Sequence, residues 1–172
     1  MAGTPELTTE IQNQISQLVQ DVVAEALRLN VTFGFAESCT GGLVSSQVTK
    51  LPGVSKVYNG SIVAYSNSLK ERLLNVSVND LKEYGAVSSE VAKAMAQGAL
   101  PALGVNFAIS LTGIAGPDGG SVEKPVGLVW FGYASHNAGS KSEKKIFSGT
   151  REQIQLQATH HALTLLKEAY KQ

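Results

Sequence analysis

Residues 36–42 read AESCTGG and bring a carboxylate, two nucleophiles and a glycine pair into one short segment. At the end of a strand and the start of a helix, such a segment suits acyl transfer, because Ser38 or Cys39 could attack while backbone amides hold an oxyanion. The same letters also fit a plain strand-to-helix turn with Thr40 as the helix cap. Glu37 fits either an orienting acid or a strand-end carboxylate bonded to the backbone. The segment is therefore a candidate catalytic loop with two alternative nucleophiles.

A cysteine nucleophile needs a nearby base, and histidine is the usual one. Cys39 is the single cysteine of the chain, and a helix N-terminus would lower the pKa of its thiol. However, His136 falls in a predicted hairpin loop, and His160 and His161 fall well inside a predicted C-terminal helix. His161 also shares the apolar stripe of that helix, as a core histidine would. We therefore interpret Cys39 as a small buried residue.

A serine nucleophile can use a lysine as its base instead, and Lys70 is the candidate. It stands in YSNSLK, in the first turns of a predicted helix capped by Ser66 or Asn67. Burial and the positive end of the helix dipole would both lower the pKa of its amine. The alternative is a surface lysine paired with an acid such as Glu71, and the local pattern taken alone favours that alternative.

Two further segments could bind a polar or anionic ligand. The loop LTGIAGPDGG at 111–120 offers Thr112, Gly113 and Gly116, and backbone amides in such loops can surround a phosphate. Arg151 begins the last predicted helix, where a guanidinium and free helix amides together suit a phosphate. Without a ligand, the same residues fit a crossover loop and a surface arginine.

The hydrophobic periodicity predicts strands alternating with helices, followed by a strand pair. We therefore predict a three-layer α/β/α sandwich with a mixed, mostly parallel sheet and a C-terminal β-hairpin. The whole chain, 1–172, is expected to form one domain, with 1–7 as a flexible tail. The predicted helices cover 7–28, 40–51, 66–75, 88–103 and 150–170, and the predicted strands cover 31–38, 58–66, 105–113, 126–134 and 142–149.

Composition excludes several classes of function. Fourteen basic residues balance fourteen acidic ones, so no basic patch suggests nucleic acid as a partner. The single cysteine rules out an internal disulfide and a multi-cysteine metal site. The N-terminus lacks the pattern of a signal peptide, and no apolar run is long enough to span a membrane. We expect a cytoplasmic protein that binds neither metal nor membrane.

Several motifs occurring in order resemble the CinA C-terminal domain family. They are AESCTGG, GSIVAYSNSLK, YGAVSSEVAKAMAQGA, SLTGIAGPDGGSVEKPVGLVWFGYA and FSGTR, and they extend over roughly residues 8–168. The family's enzyme is the PncC-type amidohydrolase, which converts nicotinamide mononucleotide to nicotinate mononucleotide and ammonia in pyridine-nucleotide salvage. Carried over by motif, the resemblance implies Ser38 as the nucleophile and Lys70 as its base, with no metal or cofactor.

The resemblance also suggests roles for the surrounding residues. Backbone amides of residues 39–42 (Cys39, Thr40, Gly41 and Gly42) would hold the oxyanion, and the 112–120 loop with Arg151 would hold the ribose phosphate. Tyr65 would bond the dyad or stack on the pyridine ring, unless it serves only in packing. The family's FSGDR reads FSGTR here, and since Thr150 can cap a helix as an acid does, we expect little change.

A rival interpretation is a non-catalytic nucleotide-binding or competence-linked regulatory module on the same fold. The Ser38 and Lys70 pair favours the enzyme, because a binding module has no need of it. We further expect a homo-oligomer, with a dimer as the first expectation.

Overall fold

A computed structural model describes residues 5–171, with side chains from residue 8 onward. The expected tail of residues 1–7 overlaps the first helix at 5–7, and its remainder lies outside the described residues. The helices are α1 Pro5–Leu29, α2 Leu43–Val48, α3 Asn67–Leu74, α4 Val78–Glu83, α5 Ser89–Leu103 and α6 Arg151–Ala169, with one 3-10 turn at Val54–Lys56. The strands are β1 Phe33–Glu37, β2 Tyr58–Val63, β3 Phe107–Gly113, β4 Leu128–Ser135 and β5 Gly139–Ile146.

The five strands form one mixed sheet, as predicted, and their order in it is β2-β1-β3-β4-β5. Strand β1 pairs in parallel with β2 and β3, whereas β4 is antiparallel to both β3 and β5. Four of the five strands therefore run in one direction, although half of the four pairings are antiparallel. The final antiparallel pair is the predicted hairpin.

Helices cover both faces of this sheet and complete the three layers. On one face, α1, α2 and α6 enclose a large apolar core with β1, β3 and β4. On the other face, α3 and α5 form a smaller core that includes Leu74, Met95 and Ala134. Residue Gly98 lets α3 approach α5 closely, because a Cβ at this position would collide with the carbonyl of Leu74. This close contact fixes the helix that carries Lys70.

Parallel strands bring their carboxyl ends to one edge of the sheet, where open α/β folds place ligand sites. Here β1 ends at Glu37, β2 runs to Val63, and β3 ends at Gly113. The segments that follow these strands contain Ser38, Tyr65 and the 112–120 loop. The topology therefore gathers three separate candidate segments at one edge.

The local structure around α2 differs from the prediction. Helix α2 begins only at Leu43, and its N-cap is Gly42 with φ of 101°, a conformation that favours glycine. Thr40 does not cap the helix, because its hydroxyl donates to Glu37 at 2.8 Å.

Two other elements also differ from the prediction. Helix α4, which has no buried residue among its six, was not predicted. Strand β5 also begins three residues earlier than expected, at Gly139.

Candidate active site

Ser38 and Lys70 meet in the interior of the protein. The Lys70 Nζ lies 3.0 Å from the Ser38 Oγ, although the two residues are 32 positions apart in the chain. Lys70 is 1 % exposed and Ser38 is 8 % exposed. The alternative that Lys70 is a surface lysine is therefore wrong.

The surroundings of Lys70 hold the amine without a counter-ion among the described side chains. Its Nζ donates to the carbonyls of Ala64 at 2.8 Å and Tyr65 at 3.3 Å. Helix α3 is capped by Ser66, whose hydroxyl accepts from the Leu69 amide, so the first turn bearing Lys70 is well defined. Burial disfavours the ammonium and lowers the pKa of Lys70 to about 8. Chemically, the pair can work as a nucleophile and a base near neutral pH.

Burial shifts the pKa of the Cys39 thiol in the opposite direction. Its side chain is buried, and this burial raises the pKa of Cys39 to about 12. The expectation that a helix N-terminus lowers this pKa is therefore wrong, because desolvation outweighs the short helix that follows. Histidine does not occur among the residues that line the adjoining cavity. His161 instead bonds Glu143 and packs edge-on against Phe131.

The side chain of Glu37 accepts hydrogen bonds from the loop that carries Ser38 and from the start of α2. Its carboxylate accepts hydrogen bonds from the hydroxyl of Thr40 and from the amides of Gly42, Val44 and Ser45 at 2.8–3.1 Å. Of the two interpretations left open by the sequence, the contacts match the strand-end carboxylate bonded to backbone.

The same contacts narrow the set of candidate oxyanion donors. The Gly42 amide donates to Glu37, and the Gly41 amide donates to the carbonyl of Ser38 at 3.1 Å. These two amides are thus not available to a ligand, contrary to expectation. Within residues 5–171, no hydrogen bond joins the amide of Cys39 or of Thr40 to another residue, so these two amides are the remaining candidates. Gln155 donates to the Cys39 carbonyl at 2.8 Å and so fixes the peptide unit that carries the Thr40 amide.

A cavity of about 220 Å³ opens above the Ser38 and Lys70 pair. It brings together seven of the candidate residues, whereas Thr40, Gly41, Gly42 and Gly116 do not line it. Sequence patterns did not single out Ala86 and Val87, nor Ala115 within the proposed 112–120 loop, because these residues carry no chemical signal of their own. Gln155 was also missed, although it lies four residues after Arg151 on the same face of α6. The lining residues are Ser38, Cys39, Tyr65, Lys70, Ala86, Val87, Thr112, Gly113, Ala115 and Arg151.

Arg151 connects three segments at this cavity. Its guanidinium donates to the Gly116 carbonyl at 2.8 Å and to the Tyr65 hydroxyl at 3.4 Å. Tyr65 is 61 % exposed, so it does not serve as a packing residue. Thr150 forms the predicted capping box with Gln153, and this cap fixes the first turn of α6 where Arg151 stands. The Thr112 hydroxyl donates to the Ala86 carbonyl at 2.7 Å and thus ties two walls together.

The part of the chain that the structure describes contains neither a metal-binding cluster nor a membrane-spanning helix. No group of three or more His, Cys, Asp or Glu side chains lies close enough together there to hold a metal ion. Of the helices described, none is both long and apolar enough to cross a membrane.

Known proteins of similar sequence include CinA-like proteins and a nicotinamide-nucleotide amidohydrolase. A CinA-like protein of Prochlorococcus marinus (strain MIT 9215) is 52 % identical over 136 residues, which are 79 % of this chain and 32 % of that protein. The nicotinamide-nucleotide amidohydrolase PncC of Enterobacter agglomerans is 50 % identical over 137 residues, which are 79 % of this chain and 84 % of that protein. The chain thus spans about a third of the length of the CinA-like relatives but most of the length of PncC.

Solved structures of similar proteins have a similar fold. The competence/damage inducible protein CihA of Agrobacterium tumefaciens superimposes with a TM-score of 0.88 and 38 % identity, over 92 % of this chain and 96 % of that one. The model of the CinA C-terminal domain matches residues 15–170. The chain belongs to the CinA C-terminal domain family.

Proposed function

We propose that the protein is a serine/lysine amidohydrolase that converts nicotinamide mononucleotide to nicotinate mononucleotide and ammonia. The observation that carries the proposal is the buried Lys70 Nζ, 3.0 Å from the Ser38 Oγ, at the floor of a cavity. The substrate rests on the similarity to PncC. The reaction would belong to pyridine-nucleotide salvage in the cytoplasm, and a homodimer remains our expectation for the assembly.

The hydrogen bonds of Lys70 suit a neutral amine that acts as a base. A neutral amine has two N–H donors and one lone pair. As an ammonium, Lys70 donates to both carbonyls and to Ser38 Oγ; as a neutral amine, it can keep the carbonyls of Ala64 and Tyr65 as acceptors and offer its lone pair to the Ser38 hydroxyl. Because the pKa of Lys70 is lowered to about 8, a useful fraction of the amine is neutral at physiological pH.

In the proposed reaction, Ser38 Oγ bonds to the carboxamide carbon while Lys70 takes the hydroxyl proton. Amides of Cys39 and Thr40 would stabilise the oxyanion, and one such donor is typically worth about 3 kcal/mol. The C–N bond then breaks, and Lys70 gives its proton to the departing amine, which leaves as ammonia. Water attacks the acyl-enzyme with Lys70 again as base, and Ser38 recovers its proton as nicotinate mononucleotide leaves.

The rival function is a nucleotide-binding or regulatory module, and the CinA-like names of many relatives are compatible with it. The buried amine of Lys70 argues against this function, because burying an amine without a counter-ion costs free energy. Such buried, perturbed groups are common at catalytic sites, whereas a binding surface has no need of one. Ammonia release from nicotinamide mononucleotide by the wild-type protein decides between the two. Absence of release at every pH tested would favour the module.

The pH dependence of the reaction should report Lys70. Below pH 8 the amine is protonated and cannot accept the Ser38 proton, so kcat/KM should rise about tenfold per pH unit and level off above about pH 8. Steady-state ammonia release from pH 5.5 to 9.5 measures this profile. A limb with a midpoint near 6.5 would point to a histidine, and one near 10 to an unperturbed lysine.

Arg151 is the residue proposed to hold the substrate phosphate. Arg151→Met should raise KM for nicotinamide mononucleotide roughly tenfold to a hundredfold, because it removes a charge-assisted hydrogen bond to the phosphate. Nicotinamide riboside, which lacks the phosphate, should lose little, so the ratio of kcat/KM for the two substrates separates binding from any general damage. Arg72→Met, at an exposed arginine of α3, is the matched control. Equal losses for both substrates would remove Arg151 from the phosphate site.

A further inference from the structure

Glu37 is a carboxylate with no exposure to solvent and five hydrogen-bond donors around it. Its Oε2 accepts from Thr40, Gly42 and Val44. Its Oε1 accepts from the Ser45 amide at 2.9 Å and the Ser61 hydroxyl at 3.0 Å. No cation pairs with it among the described side chains, so these donors alone compensate its burial.

These bonds define the shape of the loop that carries Ser38. The carboxylate lies under the turn directly following its own strand and holds the start of α2 through three backbone amides. The loop that carries Ser38 therefore folds back on Glu37, the residue that precedes Ser38, and is held to its carboxylate by these hydrogen bonds. On the opposite side, the Ser61 hydroxyl attaches the same carboxylate to β2.

The backbone of Glu37 leads to the other half of the catalytic pair. The Ala64 amide donates to the Glu37 carbonyl at 2.8 Å, and the Ala64 carbonyl accepts from Lys70 Nζ at 2.8 Å. Ser38 itself is fixed on the next strand, because its amide donates to the Leu111 carbonyl at 3.0 Å. The Glu37 backbone is thus linked to the Lys70 amine through Ala64, while Ser38 follows Glu37 directly in the chain.

We propose that Glu37 is a positioning residue: its buried carboxylate holds the 38–42 loop so that the Ser38 hydroxyl stays within reach of Lys70 and the Cys39 and Thr40 amides stay free for the oxyanion. This role rests on the proposed function. The carboxylate has no solvent exposure and does not line the cavity, so it acts only through the loop. It also occupies the helix-start amides of Gly42, Val44 and Ser45, which would otherwise compete for the anion.

Glu37→Gln is the direct test, because the amide keeps the size of the side chain but turns one acceptor into a donor that faces other donors. The reactivity of Ser38 is read with a fluorophosphonate. In this reaction Ser38 Oγ bonds to phosphorus, Lys70 takes the hydroxyl proton and fluoride leaves. The rate constant of labelling, followed by mass spectrometry, should fall about a hundredfold, as expected when a nucleophile is displaced by about 1 Å. In the amidase assay kcat should fall by the same factor, with KM changed less than threefold.

Ser110→Ala is the matched control for a purely structural effect. Ser110 is equally buried on β3, and its hydroxyl makes two backbone hydrogen bonds, to the Ala92 carbonyl and from the Gly132 amide. Its replacement should lower Tm while Ser38 is labelled at a rate within twofold of wild type. Labelling of Glu37→Gln at the wild-type rate, with only Tm lowered, would overturn the positioning role.

Ser61→Ala decides the question if Glu37→Gln does not fold. It removes one of the five donors and keeps the carboxylate, so labelling should slow about threefold to tenfold, and an unchanged rate would overturn the proposal. The labelling arm does not need the substrate. A wild-type protein that labels at Ser38 but releases no ammonia from nicotinamide mononucleotide would refute the proposed substrate alone, whereas one that does not label would refute the activated serine and the positioning role together.

Discussion

Ser38→Ala should lower kcat for nicotinamide mononucleotide by roughly 10⁴-fold or more, because the reaction loses its nucleophile and not only a contact. The fold should survive, since among the described residues the Ser38 hydroxyl bonds only Lys70, and the contacts of the surrounding loop are made by backbone and by Glu37. Ammonia release measures the loss, and thermal unfolding verifies that the variant is folded.

Cys39→Ala provides the neighbouring control. The thiol is buried, and its pKa is raised to about 12, so it supplies almost no thiolate at neutral pH. We expect Cys39→Ala to keep at least about a tenth of the wild-type kcat, because its backbone amide, the proposed oxyanion donor, is retained. The reverse pattern, an active Ser38→Ala and an inactive Cys39→Ala, would make Cys39 the nucleophile.

The sheet was predictable because its strands have strong local signals. Apolar runs such as that of β3, and the final pair β4 and β5, can be recognised without knowledge of their neighbours. Helix α4 was missed for the opposite reason, since a six-residue helix with no buried side chain has no apolar period. Its Ser77 cap, which accepts from Asn79 and Asp80, was a local signal that could have revealed it, together with Asp80 in the first turn and Lys82 in the last.

The state of Lys70 could not be derived from its local sequence. The pattern around it favoured a surface lysine, and only the family resemblance indicated a base. Its burial depends on the close contact between α3 and α5 at Gly98 and Leu74, which are far apart in the sequence. A lysine accompanied by polar neighbours has the same local appearance whether its helix packs against the sheet or faces solvent.

The glycines of the loop show a similar limit. A glycine pair after a strand predicts a turn, and Gly42 does adopt a left-handed conformation there. Which amides remain free depends on the side chain of Glu37, whose acceptors take the Gly42 amide. The sequence could therefore locate the turn, but it could not say which of its four amides would face a ligand.

Lys70→Met should remove the proposed base while keeping most of the apolar side chain. We expect kcat to fall by about 10³-fold to 10⁴-fold, because the Ser38 hydroxyl then has no group to accept its proton. The pH limb near 8 should disappear from whatever activity remains. A variant that keeps both the activity and the limb would show that another group serves as base.

The same variant tests the burial of the amine through stability, independently of any substrate. The pKa of Lys70 is about 8 in the folded protein and 10.5 as the reference value for an unfolded chain. Between these two values the unfolded chain binds the extra proton, so the stability of the wild type should rise with pH relative to Lys70→Met. The difference in the free energy of unfolding should change by about 2–3 kcal/mol from pH 8 to pH 10.5 and stay constant below pH 7.

Urea unfolding of both proteins measures this difference at each pH. The lost hydrogen bonds of Lys70 contribute a constant offset, so only the change of the difference with pH carries information. A flat difference across this range would mean that the amine has an ordinary pKa, and the mechanism built on a neutral Lys70 would then fail.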